Sequence, residues 1–445
     1  MFGRQARLTG KIIFQQFKPN VKIMKKIIRV LSSLVITSAV LLSCQKETVK
    51  ELLPNNSDNY VVTLDEAKVI CGNSKTNANA RIGSDKTILS VKSKKDKNGE
   101  DVYHVITYDN NKGFKVVSAD KRAFPLLVEA ESGQFDTTVT GVAIWMHGLE
   151  GYIEKQKSKK IAQSEDKYLK IIWKDFEESG DALKQIKTKK NGATANRLPP
   201  DDGGGGSNCQ DSYWSNENFL TTRWAQWGGF NNFCSPDPCG SVNGYCGRIP
   251  AGCGAVAMAQ IMFRHQRPLG FDYVNMTTAN NDPFSCTFNA GQTEIARLVK
   301  YAFDRAGSSP ITVSLPWSCS TNTSTFPWAI PSAFSDAGYS SGGNSQDYVF
   351  SNVRNDLLQG FPVIISGTKG WIFNFDEWHI WVADGVRYWT LSGEGGECWS
   401  GGQIHFNMGW GNGAQNGFVN SNIWYYSPSQ IGYDTQVKSI TNIRP

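Results

Sequence analysis

A cysteine between two glycines is the residue of this 445-residue chain best suited to chemistry. Cys253 opens the run CGAVAMAQIM, whose small and apolar residues predict a buried helix. Cys253 could be a small hydrophobic residue at the start of that helix, because free cysteine is among the most buried residue types. It could also be a thiolate, because the free N–H groups and dipole of a helix N-terminus lower a thiol pKa. The run alone leaves both interpretations open.

A nucleophilic cysteine needs a base, which is usually histidine. His265 lies twelve residues along the same predicted helix, roughly 18 Å away, which is too far to pair with Cys253. His379 and His405 follow much later, in strand-like runs, and a catalytic cysteine and its histidine are commonly this far apart in sequence. Either one could instead be a buried strand histidine with satisfied hydrogen bonds.

The elements around these residues predict an α+β fold for residues 210–445. Helical patterns follow Cys253 and recur at 293–307, and strand-like runs occupy 362–367, 379–386 and 403–411. Helices followed by an antiparallel sheet favour α+β over alternating βαβ units.

A smaller α+β unit is predicted at residues 59–160. Thr63 and Glu66 form a capping-box pattern, two alternating runs flank Asn110-Asn111-Lys112 as a hairpin, and residues 141–159 form an amphipathic helix.

Residues 161–209 are predicted as a linker, because residues 189–207 hold paired lysines, two prolines and four consecutive glycines. Such a segment is accessible to proteases between Lys157 and Cys209, and Lys189, Lys190 and Arg197 would suit a trypsin-like protease.

The first 43 residues are predicted as a signal segment, with Met24 as an alternative start. Basic residues after Met24 precede a short apolar stretch ending in LLSC, which resembles a bacterial lipobox with Cys44 as the lipidated residue. An ordinary signal peptide with an incidental cysteine is the alternative. Residues 44–58 then form a flexible tether, and the protein is expected to be exported and attached to the membrane through lipid only. Cutting the linker would release it.

Charge gives no indication of nucleic-acid binding. The net charge is +6, but residues 201–445 hold 12 Lys+Arg against 18 Asp+Glu and have no basic cluster. Residues 44–200 are slightly basic, which favours their docking on the acidic half.

Four segments in order resemble the streptopain-like cysteine peptidases. GCGAVAMAQIM is similar to their nucleophile motif, WHIWVADG to their histidine strand, HFNMGWGNG to their Asn and Trp segment, and TRWAQWGGFNN to their Gln block. TLDEAKVI and GFKVVSADKRAFPLLVEAESGQF resemble the family's inhibitory prodomain. Together these matches cover roughly residues 59–160 and 210–430.

The resemblance implies a papain-like fold and assigns roles to individual residues. Cys253 attacks the peptide carbonyl and His379 moves the proton, while Asn407 orients the imidazole and Gln226 helps to bind the oxyanion. Trp410 forms a wall of the site. No cofactor or metal is implied.

Three positions depart from the family pattern. Gly254 replaces a β-branched residue, Met408 replaces a tryptophan, and Gly229-Phe230 replaces Pro-Tyr. We expect Gly252 and Gly254 to let the substrate backbone approach the thiolate, and Met408 to weaken the shielding of the Cys–His pair from water.

Seven cysteines besides Cys44, Cys71 and Cys253 can form up to three disulfides with one left over. Zinc is disfavoured for the 234–253 cluster, because short Cys-x-x-Cys spacings are missing. A disulfide within the 234–246 loop is expected.

The sequence therefore predicts an exported, lipid-anchored cysteine endopeptidase made as a zymogen. Its partners would be protein or peptide substrates, its own prodomain and an activating protease. A catalytically silent surface binding or inhibitory protein of the same fold is one alternative, and an acyl-transferring enzyme is another.

Overall fold

The structure is a computed structural model that describes residues 60–72, 86–130, 132–135, 140–158, 160–161, 163–184, 187, 210–240, 246–277, 285–368, 378–392, 398–411, 416–421 and 435–445. The predicted signal segment, Cys44 and its tether lie outside the described residues, as do Lys189, Lys190 and Arg197. No helix in these ranges is long and apolar enough to cross a bilayer.

Helices and strands are mixed along the chain. The helices are α1 (Leu64–Gly72), α2 (Thr140–Ser158), α3 (Gln163–Ser179), α4 (Cys253–His265), α5 (Tyr273–Met276), α6 (Ala290–Arg305), α7 (Ile330–Asp336) and α8 (Phe350–Leu358). The strands are β1 (Ile88–Lys95), β2 (Asp101–Tyr108), β3 (Phe114–Ser118), β4 (Leu126–Ala130), β5 (Ser212–Asn216), β6 (Ser309–Leu315), β7 (Ser318–Ser324), β8 (Ser341–Asp347), β9 (Val363–Thr368), β10 (Trp378–Ser392), β11 (Cys398–Asn407), β12 (Gly417–Asn420) and β13 (Thr435–Arg444).

Eleven of the described strands form one antiparallel sheet. Its order is β1-β2-β3-β4-β12-β11-β10-β9-β13-β8, and β5 pairs with the second half of β10. Hairpin β6–β7 stands apart from this sheet. Helices packed on an antiparallel sheet are the arrangement that the α+β prediction describes.

The local signals in the front part of the chain are present in the structure. The main-chain N–H of Thr63 donates to a Glu66 carboxylate oxygen at 2.7 Å, and the Glu66 N–H donates to the Thr63 hydroxyl at 3.2 Å. This reciprocal capping box begins α1. Strands β2 and β3 form the predicted hairpin, and α2 lies where the amphipathic pattern predicts it.

The predicted linker is wrong at its beginning, because residues 163–179 form α3. This helix places Leu169, Ile172, Trp173 and Phe176 at helical spacing, and these residues are buried in a core that also contains Trp389. The linker prediction depended on the composition of residues 189–207 and did not weigh this amphipathic face.

The sheet also crosses the predicted boundary between the prodomain and the catalytic domain. Strand β4 pairs with β12 through Val128–Val419 and Glu129–Phe418. Residues 51–445 form one compact unit. The two predicted domains therefore share a sheet and do not form separate bodies.

Two disulfides stabilise the region around α4 and the β6–β7 hairpin. They join Cys239 to Cys319 and Cys246 to Cys286. Cys398 is also disulfide-bonded, and Cys234 is free and buried. The expected disulfide within the 234–246 loop is wrong, because the loop cysteines that pair do so with distant segments.

Candidate active site

Helix α4 carries Cys253 at its first residue and packs against β10 and α6. Its alanines and methionines are buried from Gly254 to Met262, because small residues allow the helix to lie close to the sheet. Gly252 caps the helix with φ of +86°, a conformation that favours glycine.

The two glycines beside Cys253 make room for the base of the β6–β7 hairpin. A Cβ on Gly252 would lie 2.8 Å from a methyl carbon of Thr323, and one on Gly254 would lie 2.6 Å from Thr325. Threonine side chains therefore occupy the space beside both glycines, and the expectation that Gly252 and Gly254 let the substrate backbone approach the thiolate stays a prediction. The same contact gives a physical reason for Gly254 in place of a β-branched residue.

The backbone N–H groups of Ile380, which follows His379, of Gly254 and of Cys253 itself lower the pKa of the Cys253 thiol. Cys253 keeps some exposed surface, but burial among the surrounding atoms raises the pKa of its thiol to about 11. Burial therefore opposes the thiolate that the N-terminus of α4 would favour. Desolvation outweighs the N–H groups that favour the anion.

His379 lies at the start of β10 and is enclosed by two indoles. Its ring stacks on Trp381 at 5.7 Å and on Trp410 at 5.0 Å between centroids, and only 4% of the residue is exposed. Burial lowers the pKa of His379 to about 4. Trp381 and Trp410 thus provide the shielding that Met408 was expected to weaken.

The main-chain carbonyl of Met408 fixes the tautomer of His379. The Nε2 of His379 lies 2.9 Å from this oxygen, which can only accept, so Nε2 carries the proton. The other ring nitrogen, Nδ1, is then the basic atom of the neutral imidazole. This is the nitrogen that could take a proton from a thiol.

Asn407 does not have the role that the sequence predicts for it. Its side-chain amide donates to the Thr222 carbonyl at 2.8 Å, and its oxygen accepts the Gly409 N–H at 3.2 Å. The far nitrogen of the imidazole is bonded to Met408 instead. Asn407 therefore shapes the turn that presents the Met408 carbonyl to His379.

Gln226 lies in a segment bonded to both sides of the site. Its carbonyl accepts the N–H of Ala251, two residues before Cys253, at 2.8 Å. The Trp224 carbonyl in the same segment accepts the Gly411 N–H at 3.1 Å. The segment therefore runs between the approach to α4 and the turn that carries Trp410.

His405, on β11, is paired with a carboxylate and not with a main-chain carbonyl. Its Nδ1 lies 2.6 Å from a carboxylate oxygen of Asp384, which is fully buried and also accepts the Leu220 N–H. The pair borders a polar cavity of about 380 Å³. The lining residues are Ser132, Asn218, Leu220, Thr221, Thr222, Arg223, His405, Asn407 and Asn416.

Sequence analysis did not identify three residues that contact the two strand histidines: Met408 and Trp381 beside His379, and Asp384 beside His405. Met408 contributes a main-chain oxygen, which no side-chain pattern can reveal. Trp381 follows His379 by two residues, and alternation along a strand could have placed both on one face. Asp384 was visible in WVADG, but its pairing with His405 depends on the register between β10 and β11.

Two further histidines, His265 and His104, have structural contacts. His265 ends α4 and lies beside Tyr339, while His104 in β2 bonds the Val62 carbonyl at 2.8 Å. Among the described residues, no three His, Cys, Asp or Glu side chains group as metal ligands. The disulfides also remove Cys239 and Cys246 from any zinc site.

Comparison with known proteins gives one family match, in the front part of the chain. Residues 62–153 match the family described as Spi protease inhibitor. No curated protein matches the chain.

Two solved structures with a similar arrangement come from Prevotella intermedia. A prointerpain A fragment is 16% identical with a TM-score of 0.48, covering 80% of this chain and 99% of the fragment. Active interpain A cysteine protease is also 16% identical, with a TM-score of 0.37 and coverage of 52% and 96%. Likenesses this distant assign no residue roles, which must come from the chain's own geometry.

Proposed function

We propose that this protein is a papain-like cysteine endopeptidase made as a zymogen, with Cys253 as nucleophile and His379 as base. The observation that carries the proposal is the position of the thiol. It lies at the first residue of α4, where it is influenced by the backbone N–H of Ile380, the residue after His379, and the Nε2–H of His379 is already bonded to the Met408 carbonyl.

The reaction follows from these positions. Nδ1 of His379 takes the thiol proton, and the sulfur attacks the carbonyl carbon of the peptide bond. The oxyanion would accept from the backbone N–H of Cys253 and from the Gln226 side chain, each worth about 3 kcal/mol of barrier. The imidazolium returns its proton to the leaving amine, and water then hydrolyses the acyl-enzyme.

The resting chemistry of this chain suits a zymogen. With the thiol pKa near 11 and the His379 pKa near 4, both groups are neutral at pH 7. An active pair needs surroundings in which thiolate and imidazolium are more stable. The match of residues 62–153 to a protease-inhibitor family supports an inhibitory role for that part. Export and lipid attachment at Cys44 are parts of the proposal that depend on sequence alone.

Reactivity of Cys253 tests the proposal. The chain from residue 45 onward, nicked in the 188–209 segment, would be treated near pH 6 with an epoxide inhibitor of papain-like enzymes. Mass spectrometry would then locate the modified cysteine. We expect labelling at Cys253 that is lost in His379→Ala, while His405→Ala, a matched change on the neighbouring strand, keeps it wherever the variant folds.

A folded, nicked chain that leaves Cys253 unlabelled would contradict the proposal and favour a silent binding or inhibitory protein. Labelling with equal loss in both histidine variants would remove His379 from its assigned role.

A further inference from the structure

His405 borders a polar cavity of about 380 Å³, here called the His405 cavity. We propose that this cavity binds a carboxylate group, held by the Nε2 of His405 and the guanidinium of Arg223. The ligand would be a small organic acid or a peptide that ends in a free carboxylate. Eight of the nine described lining residues belong to residues 210–445, and the proposal depends on these alone. It does not depend on catalysis by Cys253.

The imidazole of His405 is paired with a carboxylate through one ring nitrogen, and the other nitrogen is available to the cavity. A carboxylate oxygen can only accept, so the Nδ1 of His405 donates to Asp384 at 2.6 Å. His405 is 8% exposed, and among the described residues its Nε2 has no hydrogen-bond partner. A buried ring nitrogen is normally hydrogen-bonded. The Nε2 of His405 is therefore a group with which a ligand in the cavity can bond.

The other lining side chains favour a negatively charged ligand. Arg223 is exposed and, within the part of the chain that the structure describes, forms no ion pair or hydrogen bond. Asn218 and Thr221 add an amide and a hydroxyl, and no carboxylate is among the described lining residues. A guanidinium forms paired hydrogen bonds with a carboxylate, and an imidazolium would donate both to Asp384 and to a bound carboxylate. The cavity therefore places a guanidinium and an imidazole beside one bound anion.

A carboxylate fits this lining better than a phosphate does. Phosphate sites commonly use the N–H groups of a helix N-terminus, and none of the described lining residues begins a helix. Most of them belong to β11 or to residues 218–223, which form neither helix nor strand. The volume of about 380 Å³ exceeds that of a carboxylate group and lies in the range of small-molecule pockets. The cavity therefore admits the rest of a small acid or the end of a peptide.

Hydrogen bonds to Asp384 fix the walls of the cavity before any ligand binds. Its carboxylate accepts from His405 at 2.6 Å and from the Leu220 N–H at 3.0 Å. Gly385 lets these walls approach, because a Cβ there would lie 2.8 Å from the main-chain nitrogen of Asn218 and 3.0 Å from the Cβ of His405. Groups that are held in place before binding lose less conformational entropy on binding. The site is therefore preorganised around a buried carboxylate.

Calorimetric titration of the chain from residue 45 onward tests whether the cavity binds a carboxylate. The chain would carry Cys253→Ala, so that proteolysis plays no part. The probes are succinate, N-acetyl-trialanine with a free carboxylate, the amide of each, and inorganic phosphate. We expect succinate, the acetylated peptide or both to bind with a Kd of about 1 mM or tighter, and their amides to bind at least about tenfold more weakly. Binding of only one of the two carboxylates identifies the source of the ligand.

Substitutions locate the binding. Arg223→Gln removes an exposed guanidinium, and we expect it to weaken carboxylate binding about tenfold or more. His405→Gln keeps a polar side chain but loses the imidazole, and it should weaken binding by a similar factor wherever the variant folds. The matched control is Arg305→Gln, at an exposed arginine beside Asp336, which should bind like the parent chain.

Three results would overturn the proposal. Carboxylates that fail to bind at about 20 mM would show that the cavity takes no such ligand. Phosphate that binds as tightly as either carboxylate would remove the assigned ligand class. Carboxylate affinity that Arg223→Gln and His405→Gln both leave unchanged would place the binding site elsewhere.

Discussion

His379 and His405 lie on neighbouring strands of one sheet, yet their surroundings differ in almost every respect. His379 donates to a neutral main-chain carbonyl and stacks on two indoles, and burial lowers its pKa to about 4 although the bond to the carbonyl raises it. His405 lies against the fully buried carboxylate of Asp384 at 2.6 Å. The sequence presents both simply as strand histidines after the cysteine.

The difference shows which features make a histidine a base and which make it a fixed partner. Neutral, apolar neighbours leave the Nδ1 of His379 as the basic atom and keep water away from it. The carboxylate of Asp384 engages the Nδ1 of His405 and holds the ring against its cavity. We therefore expect changes at the His405 pair to affect stability and changes around His379 to affect chemistry.

The largest effect that would sharpen this comparison is expected from Asp384→Asn. The substitution removes the carboxylate, and an amide whose oxygen accepts the Leu220 N–H can only donate to the imidazole, so His405 keeps a bond to residue 384 only by changing tautomer. Each hydrogen bond to a buried carboxylate contributes about 1.5 to 3 kcal/mol, so weakening the two bonds to Asp384 should destabilise by about 3 kcal/mol or more, which denaturant unfolding would measure. Epoxide labelling of the remaining folded protein at Cys253 should stay within about threefold of wild type, because His379 is untouched.

Asp347→Asn is the matched control, since this aspartate pairs with Lys438 at the surface. Its effect should be below about 1 kcal/mol. If Asp384→Asn unfolds like wild type but labels poorly, the Asp384–His405 pair belongs to the chemistry and the comparison fails.

The sequence predicts the parts of the fold whose signals lie within a few residues of one another, and it misses pairings between distant segments. The capping box at Thr63, the β2–β3 hairpin and helix α4 depend on residues within a few positions of one another, and each is present. The β4–β12 pairing joins residues almost 300 positions apart, and no periodicity contains that information. Helix α3 did carry an amphipathic pattern, which the neighbouring linker composition obscured.

In the candidate site too, the sequence predicts some features and misses those that depend on how distant segments fold together. Residue type and family resemblance indicate Cys253 and His379, because nucleophile and base need particular side chains. The partner of the imidazole is the main-chain oxygen of Met408, and its identity depends on how the turn after β11 folds. The same turn engages the side chain of Asn407, which explains why a residue of suitable chemistry was assigned the wrong bond.

A smaller effect is expected from the pH dependence of His379. A histidine whose pKa falls from 6.5 to about 4 on folding stabilises the native state above pH 6.5, and this contribution is lost as pH falls through about 4. The full shift corresponds to about 3 kcal/mol. Unfolding free energies from pH 7.5 to pH 4 should decline more steeply for wild type than for His379→Gln.

The control is His147→Gln, a change at an exposed histidine, whose unfolding free energies should follow those of wild type. Parallel curves for wild type and His379→Gln would show that His379 is already accessible to protons.

The smallest effect tests whether Asn407 acts on His379 only through the turn. Asn407→Ala removes one hydrogen bond to the Thr222 carbonyl and one from the Gly409 N–H, which we expect to destabilise the protein by about 1 to 2 kcal/mol. Labelling of Cys253 should slow by about tenfold at most, because the Met408 carbonyl shifts but remains.

Asn416→Ala provides the comparison, since Asn416 accepts the Met408 N–H at 3.0 Å and supports the same residue from the other side. Similar slowing in both variants, with an unchanged pH profile, would place the Met408 carbonyl between Asn407 and the imidazole. Loss of labelling as complete as in His379→Ala, in a folded Asn407→Ala protein, would instead return Asn407 to direct contact with the reacting pair.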